Sequence, residues 1–306
     1  VLDEEDIPEI SQLNNTPENA GKAIEFEKII GMDSVKEKVK EFEALIQFKM
    51  KARERGLTVP SANMHMIFTG NAGTGKTMIA RLIAQKLYDI GMIMENKLVE
   101  AERKDLIGVH IGETAPKVAD MIEKAMGGVL FIDEAYSLTP KSEKDFGREA
   151  IATLIKAMED HKDDLVIIFA GYKEEMREFV EANQGIASRI GFTFHFEDYN
   201  AEELTDMFVV KMTSNGFHIT EPARVKIKQI MQHFCLEKNF GNGRFVDRLI
   251  QNVITRHAMD YDEKAMEMIL KGFQKIVAFG PEFRFELLDE FLIASDLAGI
   301  AFGNAG

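Results

Sequence analysis

Residues 65–84, HMIFTGNAGTGKTMIARLIA, restrict the fold of this chain more than any other stretch. Met64, Met66, Ile67 and Phe68 form a short apolar run that ends at Gly70, and beyond Thr77 the apolar residues Ile79, Leu82, Ile83 and Leu87 recur at helical spacing. The local order is strand, loop, helix. The loop reads G-x-x-x-x-G-K-T from Gly70 to Thr77. Gly70, Gly73 and Gly75 let the backbone through Asn71, Ala72 and Thr74 curl so that N–H groups converge on phosphate oxygens, at a helix N-terminus that continues into Met78. Lys76 would reach the β- and γ-phosphates, and the Thr77 hydroxyl would ligate Mg²⁺. The alternative, a chance Gly-rich turn ahead of a core helix, is disfavoured by a complete motif with a strand and a helix on the correct sides.

Candidate strands follow at 64–69, 97–101, 128–132, 165–169 and 192–196, with helical segments between them. Such alternation predicts an α/β fold, a parallel five-stranded sheet flanked by helices. Ahead of it, Val35, Val39, Phe42, Ile46 and Met50 make an amphipathic helix from Asp33 that ends at Gly56. After Asp198 no further strand is expected. Helices are predicted from Asn200, with Glu203 placed for a capping box, from Thr220, with Pro222 in the first turn, and around 244–258 and 263–278. The expected division is an acidic arm or linker at 1–28, an α/β nucleotide-binding part at 29–198, a small all-helical lid at 199–280 and an unassigned tail at 281–306.

The second chemical element is GGVLFIDEAYS, in which an apolar strand delivers Asp133 and Glu134 to its C-terminal end, where ligands bind in open α/β sheets. Asp133 would hold Mg²⁺ through its outer shell, and Glu134 would orient and polarise an attacking water. Paired carboxylates also occur as helix caps or solvated charge, but together with the phosphate loop they specify hydrolysis of a nucleoside triphosphate, ATP with Mg²⁺. Composition excludes other classes. With 51 acidic against 37 basic residues, net charge −14, the chain would repel a phosphate backbone, so nucleic acid is not an expected partner. No apolar run approaches the roughly 20 residues of a membrane span, and nothing resembles a secretory signal. The single cysteine, Cys235 in IMQHFC, reads as a small buried core residue and fits a reducing, cytoplasmic compartment.

The phosphate loop, GGVLFIDEAYSL, LVIIFAGYKEEM, NQGIASRIGFTFHF and GNGRFVDRLI occur in this order, and together they resemble the AAA+ ATPases, in the group of the rubisco activase CbbX and stage V sporulation protein K. The resemblance runs from about Ile29 to about Asp260. It implies ATP bound between an α/β part and a helical lid, a ring of six subunits, and mechanical work on a protein substrate drawn into a central pore. Ile30 and Gly31 match a linker that contacts adenine, although two apolar residues before a helix also make a hydrophobic staple. Arg189 matches the arginine finger that enters a neighbour's site, the alternative being a surface arginine paired with Glu181 or Glu197. Arg244 matches the lid arginine that senses the γ-phosphate, with Arg248 one turn on as its competitor. Where many relatives place a polar Asn or Thr after the fourth strand, this chain reads Ala170, Gly171, Tyr172, so no sensing residue is named there.

In DLIGVHIGETAPK the match to pore loops falls on Val109 to Gly112, and His110, followed by Ile111, stands where an aromatic residue grips substrate. An imidazole titrates near neutrality, so such a grip would vary with pH; a solvated loop histidine explains the same residue. The chain begins with Val1, and LDEEDIPEI resembles the tail of a preceding module, so a module cut from a tandem protein is expected, with an acidic solvating arm as the alternative. Neighbouring modules would then be partners as well. Two functions remain beside each other: an ATP-driven remodeller of protein, and a regulatory ATPase that uses nucleotide as an assembly switch without threading. A clamp-loader-like module on DNA is disfavoured by the acidic balance.

Overall fold

A computed structural model describes residues 26, 29–56, 63–142, 145–237, 240–259 and 300–301. The expected arm at 1–28 and the expected helix at 263–278 therefore fall almost wholly outside the described residues, as does all of the tail except 300–301. Helix α1 (Asp33–Glu54) leads to β1 (His65–Gly70), α2 (Lys76–Asp89), β2 (Leu98–Ala101), α3 (Arg103–Leu106), α4 (Thr114–Ala125) and β3 (Val129–Ile132). Then follow a 3₁₀ turn at Ala135–Leu138, α5 (Gly147–Asp160), β4 (Val166–Gly171), α6 (Lys173–Ala182), α7 (Gln184–Ala187) and β5 (Ile190–Phe196).

The five strands form one parallel sheet in the order β2-β3-β4-β1-β5, as the alternation of elements predicts. Its three inner strands, HMIFTG, VLFI and VIIFAG, are buried at every residue, because each is covered by helices on both faces. The edge strand β5 alternates instead between buried and accessible residues. On one face Val35, Val39, Phe42 and Ile46 of α1 and Ile79, Ile83 and Leu87 of α2 pack on Met66, Phe68, Phe131 and Ile168. On the other face Val118, Ile122, Leu154 and Phe179 pack on Ile67, Leu130, Ile132 and Phe169. Register sets the site: Thr69 pairs with Gly171 and Ile132 with Phe169, so the strand ends that lead into Gly70, Asp133 and Tyr172 open on the same edge.

A third core is built by α8 (Ala201–Ser214), α9 (Glu221–Phe234) and α10 (Gly243–Met259), through Leu204, Phe208, Ile227, Met231, Phe245 and Leu249. The capping box at the start of α8 forms: Asn200 Oδ1 accepts the N–H groups of Glu202 and Glu203 at 2.9 and 3.0 Å, and Glu203 Oε2 accepts the Asn200 N–H at 2.8 Å. Strands do not stop at Asp198. β6 (His218–Ile219) pairs antiparallel with β7 (Ile300–Ala301), and two residues are too few for any alternation to announce them. Cys235 is half-buried rather than enclosed; its Sγ lies 3.7 Å from the Tyr199 carbonyl, and burial pushes the thiol pKa up. Among the described residues no helix is long and apolar enough to cross a membrane.

Candidate active site

A cavity of about 800 Å³ lies between the C-terminal edge of the sheet and the lid helices. Ala72, Gly73, Gly75, Lys76, Thr77 and Met78 line its floor, Asp133 and Glu134 one wall, and Ile30 and Arg244 border it from the linker and the lid. The side chains of Asn71 and Thr74, expected at the nucleotide, turn away: Asn71 Nδ2 donates to Asp198 Oδ1 and Oδ2 at 3.0 and 2.8 Å, and the buried Thr74 hydroxyl donates to the Asn71 carbonyl at 2.8 Å. Only the backbone of these two residues can face a ligand. Gly31, with φ of 66°, sits behind Ile30 against Glu203 and Tyr199.

The phosphate loop answers a complete accounting of its backbone polar groups. Lys76 Nζ donates to the carbonyls of Gly70 and Asn71 at 2.8 and 2.7 Å. Asn242 Nδ2 donates to the Ala72 carbonyl at 3.2 Å, the Gly243 N–H to the Gly73 carbonyl at 3.1 Å, and the Tyr199 hydroxyl to the Thr74 carbonyl at 3.4 Å. The Gly75 carbonyl takes the Ile79 N–H at 3.0 Å, the first bond of α2. By contrast the N–H groups of Gly73, Gly75, Lys76, Thr77 and Met78 have no protein acceptor among the described residues, and Gly75, at the N-cap with φ of 91°, has no side chain to supply one. A loop with every carbonyl held and its N–H groups free fits an anion.

Electrostatics agree with that fit. Burial lowers the Lys76 pKa, opposed by the carboxylate of Asp133 and assisted by the guanidinium of Arg244, so two cations share the cavity with Asp133 and Glu134. An anion would relieve both. Asp133 accepts the Glu134 N–H at 2.9 Å on Oδ1. Glu134 itself is held at φ of 47° and ψ of 43°, a left-handed conformation uncommon in a non-glycine residue. Behind it, burial and then the Glu134 charge push the Tyr136 phenol up to about 12, which keeps it a neutral hydroxyl. Among the described residues no three His, Cys, Asp or Glu cluster as a self-sufficient metal site. Thr77 and Asp133 alone suit Mg²⁺, which is commonly held by one or two protein oxygens together with phosphates and water.

Arg189 lies outside this cavity. Its guanidinium pairs with Glu159 at 3.1 Å and donates to the Gly185 carbonyl at 3.0 Å, whereas Glu181, one of the two partners expected for it, binds Arg177. Of the two lid arginines, Arg244 borders the cavity and Arg248 does not. His110 sits at an exposed loop tip between Val109 and Ile111, which are 80% and 91% exposed. Glu113 Oε2 accepts the N–H groups of Val109 and His110 at 2.9 and 3.0 Å; the bond from His110, then that from Val109, lowers the carboxyl pKa.

Sequence reading missed the lid face formed by Met207, Val210 and Lys211, whose spacing along α8 is the helical signal that could have found it. It also missed Asn242, flanked by two glycines, and Arg103, which binds the Asp145 carboxylate at 2.8 and 2.9 Å and the Ser137 carbonyl just beyond Glu134.

Comparison with known proteins agrees with this geometry. Residues 66–224 match the ATPase family associated with various cellular activities (AAA), and residues 200–271 match the AAA lid domain. The chain is 40% identical over 253 residues to stage V sporulation protein K of Bacillus subtilis, covering 81% of this chain and 79% of that protein. It is 40% identical over 232 residues to the chloroplastic ribulose bisphosphate carboxylase/oxygenase activase of Cyanidioschyzon merolae, covering 76% and 79%. It is 38% identical over 232 residues to the chromosomal protein CbxX of Cupriavidus necator, covering 76% and 73%.

Proposed function

The chain belongs to the AAA family of ATPases, and on that premise we propose that it hydrolyses ATP in the cavity between sheet and lid and uses the energy to remodel a protein. The observation that carries this reading is the phosphate loop with its carbonyls tied and its N–H groups free, facing Asp133 and Glu134 across one cavity. Phosphates would draw Lys76 off the carbonyls of Gly70 and Asn71, exchanging neutral acceptors for charged ones. Glu134 would polarise the attacking water, its carboxylate aimed by the left-handed backbone that precedes the 3₁₀ turn. Thr77 and Asp133 are the groups that would hold Mg²⁺, which supplies charge neutralisation at the transferred phosphoryl group.

Arg189 stands away from its own cavity, and this supports a role in the site of a neighbouring subunit, within a ring of six. Adjoining modules of a longer chain would serve the same purpose. The exposed apolar residues Val109 and Ile111 beside His110 support a loop that grips an extended polypeptide. One relative is named for the activation of ribulose bisphosphate carboxylase/oxygenase and another for sporulation; for this chain the substrate is proposed only as a protein, in the cytoplasm. A second reading, a nucleotide-dependent assembly switch without threading, is favoured by His110, where a larger aromatic ring would be the better grip.

The test uses two variants. Lys76→Ala should abolish ATP binding, while Glu134→Gln should bind ATP and lower turnover by roughly 10²–10⁴-fold, with closed rings in negative-stain images. Undiminished turnover in either variant would sink the ATPase site, and hydrolysis without rings would remove the shared-site reading.

A further inference from the structure

Asn242 occupies the turn ahead of α10 with φ of 50°, and it is 1% exposed. Asparagine is among the few side chains that tolerate this left-handed conformation. Its amide makes three hydrogen bonds. Oδ1 accepts the Tyr199 N–H at 2.9 Å, while Nδ2 donates to the Ala72 carbonyl at 3.2 Å and to Asp198 Oδ1 at 2.7 Å. The reverse amide orientation would set oxygen against a carbonyl and a carboxylate, so the partners decide it. Asp198 in turn holds the Asn71 amide, and the Gly243 N–H holds the Gly73 carbonyl. The two loops touch backbone to backbone: a Cβ placed on Gly73 would meet the Gly241 carbonyl oxygen at 2.1 Å.

A trans peptide unit points its C=O and its N–H in opposite directions. Tying the carbonyls of Ala72 and Gly73 to the lid turn therefore aims the N–H groups of Gly73 and Thr74 the other way, toward the face that would meet phosphate. Asn242 does not itself line the cavity. We infer that Asn242 is a positioning residue for phosphate binding, presetting the phosphate-loop amides and tying their geometry to the lid that carries Arg244. This rests on the cavity being an ATP site. A group acting through the loop backbone serves ADP and ATP alike, whereas a γ-phosphate contact serves ATP alone.

Asn242→Gly removes the amide and keeps a residue at ease with positive φ. In titrations of the full chain with fluorescent ADP and ATP, affinity for both should fall by the same factor, on the order of tenfold. KM for ATP should rise in step, with kcat retained to within about twofold. Tyr199→Phe, which removes only the hydroxyl on the Thr74 carbonyl, should weaken both nucleotides by about twofold. Unchanged ADP affinity in folded Asn242→Gly would overturn the inference, and so would a loss confined to ATP. Should Asn242→Gly not fold, Asn242→Asp decides, because it keeps the acceptor for the Tyr199 N–H and loses the donor to the Ala72 carbonyl, and ADP affinity equal to wild type overturns the inference. Failure of the ATP-site reading looks different: the unaltered chain would bind neither nucleotide, or Lys76→Ala would bind as well as wild type.

Discussion

The phosphate loop and the loop at 107–113 are both short, glycine-containing connections, yet they treat their backbones in opposite ways. From Gly70 to Gly75 each carbonyl is held by a donor from within the chain, and N–H groups are left for something outside it. From Gly108 to His110 the N–H groups are consumed, by the Thr114 hydroxyl at 3.0 Å and by Glu113, and what faces outward is the side chains of Val109, His110 and Ile111. One loop offers backbone dipoles and the other offers side-chain surface. An anion of fixed geometry is met by fixed dipoles; an extended polypeptide of variable sequence is better met by adaptable apolar contact.

The largest effect should come from Arg189, which stands outside the phosphate-loop cavity of its own chain. Arg189→Ala should lower kcat by roughly 10³–10⁵-fold where an arginine finger acts, with ADP affinity retained. Mixing it with Lys76→Ala subunits should restore part of the turnover, because an intact finger then faces an intact cavity. Wild-type hydrolysis by Arg189→Ala alone would mean that one chain completes the site.

The contrast between the loops sharpens in two glycines of similar backbone. Gly73 has φ of 74° and no room for a Cβ, whereas Gly112 has φ of 86° and nothing within 4 Å of one. Gly73→Ala adds overpacking to the left-handed cost, roughly 2–5 kcal/mol together. Gly112→Ala bears only the conformational cost, about 1 kcal/mol, confined to its loop. Thermal melting with ADP titration should show lost nucleotide binding for the first and wild-type binding for the second. Equal losses would end the distinction.

A buried histidine extends it to pH. His65 is 1% exposed; its Nδ1 accepts the Ile167 N–H at 3.1 Å, and Nε2 donates to the Met158 carbonyl at 3.0 Å. Burial, partly offset by that carbonyl, lowers its pKa in the folded state. The neutral ring is thus the stabilising form, fully present above an unfolded value of about 6.5 and lost as pH falls through the folded value, by at most about 1.4 kcal/mol per pH unit. Melting temperature should drop between pH 7 and 5.5, and His65→Gln should flatten that slope. A slope unchanged in the variant would assign it elsewhere.

The smallest effect on basal chemistry should come from the exposed histidine. His110→Ala should leave basal hydrolysis within about twofold, since none of residues 108–112 lines the cavity, while abolishing stimulation by protein substrate. Equal loss of basal and stimulated rates would place the loop's influence on the nucleotide site instead of on a partner.

The strand-loop-helix unit around Lys76, the buried strands that carry Asp133 and the capping box of Asn200 and Glu203 were legible in the amino-acid sequence, because each is a matter of residues within a few positions of one another. Apolar runs, helical spacing and cap chemistry are local, and local signals survive without a partner. Tertiary structure alone decided the strand order β2-β3-β4-β1-β5, the β6–β7 pair, the attachment of Arg189 to Glu159 and the closure of Asn242 over the Ala72 carbonyl. Those depend on which distant segments packing brings within hydrogen-bond reach. A side chain such as asparagine or arginine carries the same donors wherever it stands, and only the folded chain selects the acceptor.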